Sequence, residues 1–110
     1  MGTAATSRAD GLLVAAGRGD VEAFGEFYDE TAPSVFELVQ AALGGRVEDS
    51  AAVTEAVYVH TWRTSSRFDP SDGSWCALLL RTIRRELVRH RDGRPPSASA
   101  PGTHFLTVSP

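Results

Sequence analysis

With 110 residues, 42% of them apolar, and a net charge of −3, the chain can build one modest hydrophobic core and is too apolar for wholesale disorder. The overall acidity excludes a general nucleic-acid coat. No apolar run approaches the roughly 18 residues of a membrane span, and the N-terminus lacks the basic-then-apolar order of a secretory signal. The single cysteine, Cys76, excludes an internal disulfide and fits a reducing compartment, so a cytoplasmic protein with no membrane partner is expected.

Residues 1–9 are read as a disordered N-terminus and residues 10–92 as one helical domain. Asp10 is a candidate N-cap for a short first helix carrying Leu12, Leu13 and Ala16 and ending at Gly17 or Gly19. Asp20 caps a second helix, with Glu22 in the first turn where the helix dipole favours a carboxylate. Phe24, Phe27 and Tyr28 open its apolar face. Val35, Leu38, Val39, Ala42 and Leu43 continue that face at spacings of three and four. Pro33 either starts a new helix behind Thr31 or kinks one long helix, and Gly44-Gly45 ends it.

A third helix is predicted from Asp49 or Ser50 through Val53, Val57, Tyr58 and Trp62, fading near Ser65. Residues 67–73, with Pro70 and two aspartates, form a loop. Ser71 or Asp72 then caps a fourth helix reaching about Arg91. Cys76, Leu80, Ile83 and Leu87 are predicted as its core stripe, with Arg81, Arg85 and Arg89 as a separate cationic stripe. Residues 93–110 are Pro/Ser/Ala-rich and aperiodic and are read as a disordered tail. The expected fold is all-α, a compact bundle of about four helices.

Charge divides the chain. Residues 1–59 hold ten carboxylates against three arginines, whereas residues 60–96 hold eight arginines against four carboxylates. The segment WRTSSRFDPSDGSW (62–75) stands where the sign changes, with a tryptophan at each end and a Phe-Asp-Pro turn between. Aromatic anchors beside a cationic helix suit an anion with flat bases, that is, single-stranded or melting nucleic acid. The plainer reading puts Tyr58 and Trp62, at i and i+4, in the core, makes Phe68 a hydrophobic plug of a turn, and leaves the arginines as a solvated face. His60, His90, His104 and Cys76 match no standard zinc spacing, and no catalytic triad, carboxylate pair or phosphate loop is identifiable. A protein that is not an enzyme, with no cofactor and no metal, is expected.

In order along the chain, LLVAAGRGDVEAFGEFYDETAPSVFELV (12–39), AAVTEAVYVHTW (51–62), RTSSRFDPSDGSW (63–75) and LLLRTIRRELVRHR (78–91) resemble the second domain of bacterial sigma factors of the extracytoplasmic-function type. The resemblance covers roughly residues 11–92. It implies a transcription-initiation module whose partners are core RNA polymerase and promoter DNA. Carried onto this sequence, the third helix supplies the polymerase contact, at Val53, Glu55, Tyr58 and Val59. The following loop and fourth helix capture the −10 element. Phe68, Asp69, Ser74 and Trp75 are the candidate base pocket, Arg81, Arg84, Arg85 and Arg89 the candidate phosphate contacts, and Arg63 and Arg67 further DNA-binding candidates.

The chain departs from the family pattern in three places. Ala51 and Ala52 replace an acidic pair on the third helix, and Glu55-Ala56 replaces Gln-Glu. Charge-assisted contacts are worth about 1.5–3 kcal/mol each, so their loss lowers the expected affinity for polymerase. Arg84-Arg85 and Arg89 replace Arg-Asn and a later Asp, which favours phosphate contact over base reading. After Arg91 only a short segment remains, so the −35-reading domain is expected to be missing unless a partner supplies it. The alternative is a protein-interaction module, a decoy or co-regulator that keeps the sigma fold and binds an anti-sigma factor or another sigma without reading DNA.

Overall fold

The computed structural model describes residues 7–93, so most of both expected disordered ends lies outside the described residues. The described residues form four helices and one 3₁₀ turn: α1 (Arg8–Gly17), α2 (Val21–Ala42), α3 (Val47–Thr64), the turn Ser65–Arg67, and α4 (Trp75–Arg91). No strand occurs among them, and the all-α bundle is as expected.

Three of the four helix starts follow from side-chain capping hydrogen bonds. At α1 the cap is Ser7, not Asp10. The Ser7 hydroxyl accepts from the Asp10 N–H at 3.1 Å, and the Asp10 carboxylate accepts from the Ser7 N–H at 3.3 Å, a reciprocal capping box. Arg8 and Ala9, expected to be disordered, are therefore helical. At α2, Asp20 accepts from Ala23 N–H at 3.0 Å, as expected. Pro33 neither ends nor splits α2, which runs unbroken for 22 residues. Proline removes one N–H donor, but the apolar series Phe24, Phe27, Val35 and Val39 keeps its phase across it, so core packing outweighs one lost bond.

α3 begins at Val47, earlier than expected. Arg46 stands at its N-cap with no side-chain cap, and Glu48 and Asp49 in the first turn face the positive end of the helix instead. α4 is capped by Ser74, whose hydroxyl accepts from Ala77 N–H at 3.2 Å. The loop therefore extends to residue 74, beyond the predicted caps Ser71 and Asp72.

The core is assembled from α1 Leu13 and Ala16, α2 Phe24, Phe27, Val35 and Val39, α3 Val53, Val57 and Tyr58, and α4 Leu79 and Ile83. Phe24, Phe27, Tyr58 and Trp62 interlock at ring separations of 5.0–6.4 Å in mostly edge-to-face arrangements. The Tyr58 hydroxyl is buried at 2.6 Å from the Thr31 hydroxyl; Thr31 donates its proton to Phe27 O and so accepts from Tyr58, and the phenol keeps a partner in the core. Burial pushes the Tyr58 phenol far above its ordinary pKa.

The predicted core stripe of α4 is corrected. Ile83 is buried, but Leu80 is 51% exposed and Cys76 is exposed. Leu79, Thr82 and Glu86 take the inward positions instead. The inward face is set by how α4 packs on α3, and two polar residues of it have local partners. Thr82 Oγ1 donates to Leu78 O at 2.9 Å, and the Glu86 carboxylate lies 3.5 Å from Arg85 and 3.9 Å from Arg89.

Candidate nucleic-acid interface

The loop between the 3₁₀ turn and α4 is held at both ends by α1. At its start, Gly17 approaches the turn so closely that a Cβ there would lie 2.4 Å from Ser65 O. At its end, the second oxygen of the buried Asp10 carboxylate accepts from the N–H of Trp75, the first residue of α4, at 2.8 Å. One carboxylate thus serves the positive ends of two helices. Asp10 and Gly17 are seven residue steps apart, about two helical turns or ~10 Å, which sets the spacing of the two anchors.

Inside that span the loop is organised by its own side chains. Asp69 Oδ1 accepts from the Ser71 hydroxyl at 2.7 Å and the Ser71 N–H at 2.9 Å, an Asx turn across Pro70. These two bonds hold the Asp69 carboxyl below the usual carboxylate range. Gly73 turns the chain into α4 at φ +153°, a backbone conformation that strains a side-chain-bearing residue.

The result is an open cavity of about 200 Å³. Phe68 and Leu78 supply its apolar wall, Asp69, Asp72 and Ser74 its polar edge, and Arg67 and Arg81 its cationic lip, with Thr64 and Gly73 completing it. It is smaller than the ~300–1,000 Å³ typical of drug-sized ligand sites, so it suits one flat group rather than a large cofactor. Of the candidate base-pocket residues, Phe68, Asp69 and Ser74 line it. Trp75 does not: its ring is turned toward the core and meets Phe27 edge-on at 6.1 Å. Trp62 likewise packs on Phe24 at 5.0 Å, so both tryptophans of the segment brace the fold.

The candidate arginines divide into groups. Arg67 and Arg81 face the cavity, and Arg63 is exposed near the end of α3. Arg85 and Arg89 flank Glu86, which is 2% exposed, at the α3–α4 contact. Half-buried His60 lies in the same charged cluster. Burial chiefly, then the neighbouring Arg85, pushes its pKa down against an opposing pull from Glu86. Arg84 lies elsewhere, beside Leu80 and Leu87 in a groove on the α2 side of α4.

The polymerase-contact candidates are placed inward. Val53, Tyr58 and Val59 are 2%, 0% and 4% exposed, so they hold α3 in the bundle and have almost no surface to offer a partner. Glu55 is half-buried, and desolvation raises its carboxyl pKa. The open side of α3 instead presents Glu48, Ala51 and Ala52 beside Glu55. Sequence reasoning also missed Thr64, Asp72, Gly73 and Leu78 as cavity residues. Thr64 stands one helical turn before Phe68 and Leu78 one turn after Ser74, and that spacing was the available signal.

The chain is similar in sequence to known proteins. The chain is 36% identical over 85 residues to an ECF RNA polymerase sigma factor SigK of Mycolicibacterium vanbaalenii, covering 76% of this chain and 42% of that protein. It is 37% identical over 83 residues to the SigK of Mycobacterium tuberculosis (76% and 44% covered) and 38% identical over 79 residues to that of Mycobacterium ulcerans (70% and 41%). The chain is homologous to ECF RNA polymerase sigma factors. It spans a little over two fifths of the length of these relatives. No protein-family model matches it, and no solved structure matches it. The homology to sigma factors takes in most of the described residues, and no described helix is long and apolar enough to cross a membrane.

Proposed function

We propose that residues 7–93 act as the −10-capturing domain of a sigma-type transcription initiator, taking one unstacked promoter base into the loop cavity. The observation that carries this reading is the cavity itself. It offers an aromatic and aliphatic wall (Phe68, Leu78), hydrogen-bonding groups on one edge (Asp69, Ser74) and two arginines at the lip. These are the elements needed to hold a flipped base and its flanking phosphates. The sigma-factor homology supports the same role. Contact with core polymerase is assigned to the open side of α3, at Glu48, Ala51, Ala52 and Glu55, in place of the buried Val53, Tyr58 and Val59.

The test is fluorescence anisotropy with a single-stranded −10-like oligonucleotide across a salt series. Phe68→Ala is expected to weaken binding by about 1–3 kcal/mol, the usual worth of one aromatic–base contact. Arg81→Ala should reduce the salt slope by about 0.7, one phosphate contact on a single strand. Absence of salt-dependent binding refutes the proposal. A second reading, an interaction module that keeps the sigma fold without reading DNA, is favoured by the exposed alanine pair where the family has acidic residues. Failure to bind DNA and core polymerase, together with a stable complex with an anti-sigma factor, would select it.

A further inference from the structure

A second concavity, on the α2 side of α4, takes no part in the reading above. It encloses about 680 Å³ between the C-terminal end of α2 and the last three turns of α4. Leu38, Leu80, Leu87 and Val88 give it an aliphatic surface. Leu38, Leu80 and Val88 are 47%, 51% and 38% exposed, three of the five large hydrophobic side chains exposed among the described residues. An isolated exposed aliphatic side chain is ordinary, whereas three converging on one groove mark a contact surface. The rim is cationic, carrying Arg46 before α3 and Arg84 and Arg91 on α4, with His90 between them. Asp49 lies 3.6 Å from Arg46 and 4.0 Å from His90, which leaves the charges of Arg84 and Arg91 to set the sign of the rim.

We propose that this groove docks an amphipathic helix with acidic flanks contributed by a partner protein. Leu80 to Arg91 spans eleven residue steps, about 16 Å, the length of three helical turns. Helices bind such grooves through anchors at i, i+3 or i+4, and i+7. The charge selects the partner. In a chain of net charge −3, a cationic rim around an aliphatic floor is a local inversion that attracts acidic residues and repels basic ones. Nucleic acid fits less well, because the lining holds no Phe, Tyr or Trp on which a base can stack. The proposal does not depend on the DNA-binding reading.

The test uses the full chain and a labelled 15-residue peptide with leucines at i, i+4, i+7 and i+11 and glutamates beside them. A control peptide carries lysines in place of the glutamates. By fluorescence anisotropy the acidic peptide binds, loses affinity as salt rises, and exceeds the lysine peptide by at least about tenfold. Leu80→Glu abolishes binding, and Arg84→Glu with Arg91→Glu weakens it by about tenfold. All three sites are exposed, so the variants retain the wild-type thermal unfolding curve. No binding, or equal binding of the two peptides, overturns the proposal. A concentration-dependent dimer that Leu80→Glu dissolves overturns it in favour of a second copy. Movement of the Leu38, Leu80 and Val88 methyl resonances by Phe105→Glu overturns it in favour of the chain's own C-terminal segment.

Discussion

Gly17→Ala probes the contact that fixes the start of the loop, and Gly11→Ala in the same helix provides its internal control. A Cβ at residue 17 meets Ser65 O at 2.4 Å, Ser65 C at 2.9 Å and Ser66 Cα at 3.1 Å. All three are backbone atoms, so no rotamer change relieves the clash. The turn must retreat by about 1 Å to restore ordinary contact, and overpacking of this kind costs about 1–3 kcal/mol. Alanine in a helix gains about 0.5–1 kcal/mol over glycine. At Gly11 a Cβ has nothing within 4 Å, so that gain stands unopposed. The helix term cancels between the two variants, and their difference isolates the clash at about 1–3 kcal/mol. For a domain of this size each kcal/mol moves Tm by roughly 4–8 °C. Thermal denaturation followed by circular dichroism should place Gly11→Ala above the wild type and Gly17→Ala clearly below Gly11→Ala. Because the displaced residues lead into the loop, Gly17→Ala should also weaken single-stranded DNA binding. Equal Tm values for the two variants would refute the close approach of α1 to the turn.

Thr31→Val removes the partner of the buried Tyr58 hydroxyl and should cost about 1–3 kcal/mol in urea titrations. Tyr58→Phe should cost less, since Thr31 keeps its bond to Phe27 O at 2.8 Å. A lowered His60 pKa means that the folded state resists protonation. Its contribution to stability is therefore present above the ordinary histidine value of about 6.5 and is lost as pH falls through the folded value. Urea midpoints measured from pH 7 to pH 5 should fall more steeply for the wild type than for His60→Gln; parallel profiles would remove His60 as the cause.

The number and order of helices were legible because apolar residues at spacings of three and four, with capping residues and glycine stops, are local signals. Phe24, Phe27, Val35 and Val39 show this best, since their phase predicted a continuous face even across Pro33. The loop was legible for the same reason, through Pro70 and its aspartates. The inward face of α4 was not. Hydropathy points to Leu80 and Cys76, yet the α3–α4 packing turns Thr82 and Glu86 inward, where hydroxyl-to-carbonyl bonding and flanking arginines make polar burial tolerable. On α3 the family resemblance named Val53, Tyr58 and Val59 as partner contacts, and the packing buries all three. Their side chains are what the bundle needs for its own core, and only the packed structure separates the two uses of an apolar residue.

That phase also decides how α4 divides its arginines. Leu78 lines the loop cavity and Leu80 lines the apolar groove. Two residues along a helix correspond to about 200° of rotation, so these two leucines stand on nearly opposite sides of one rod, while Arg81 and Arg84 are about one turn apart on it. Arg81 belongs to the cavity and Arg84 to the groove. A single cationic stripe would make a DNA strand and an acidic helix compete for the same charges. With the charges divided, each ligand meets its own arginines, and binding at one site opposes the other through repulsion between two anions. That repulsion is screened over about 10 Å at 0.1 M salt. Titrating the acidic peptide into a preformed complex with the oligonucleotide should therefore displace little DNA at 0.15 M salt and more at 0.02 M. Full displacement at 0.15 M would show that the arginines act as one surface after all.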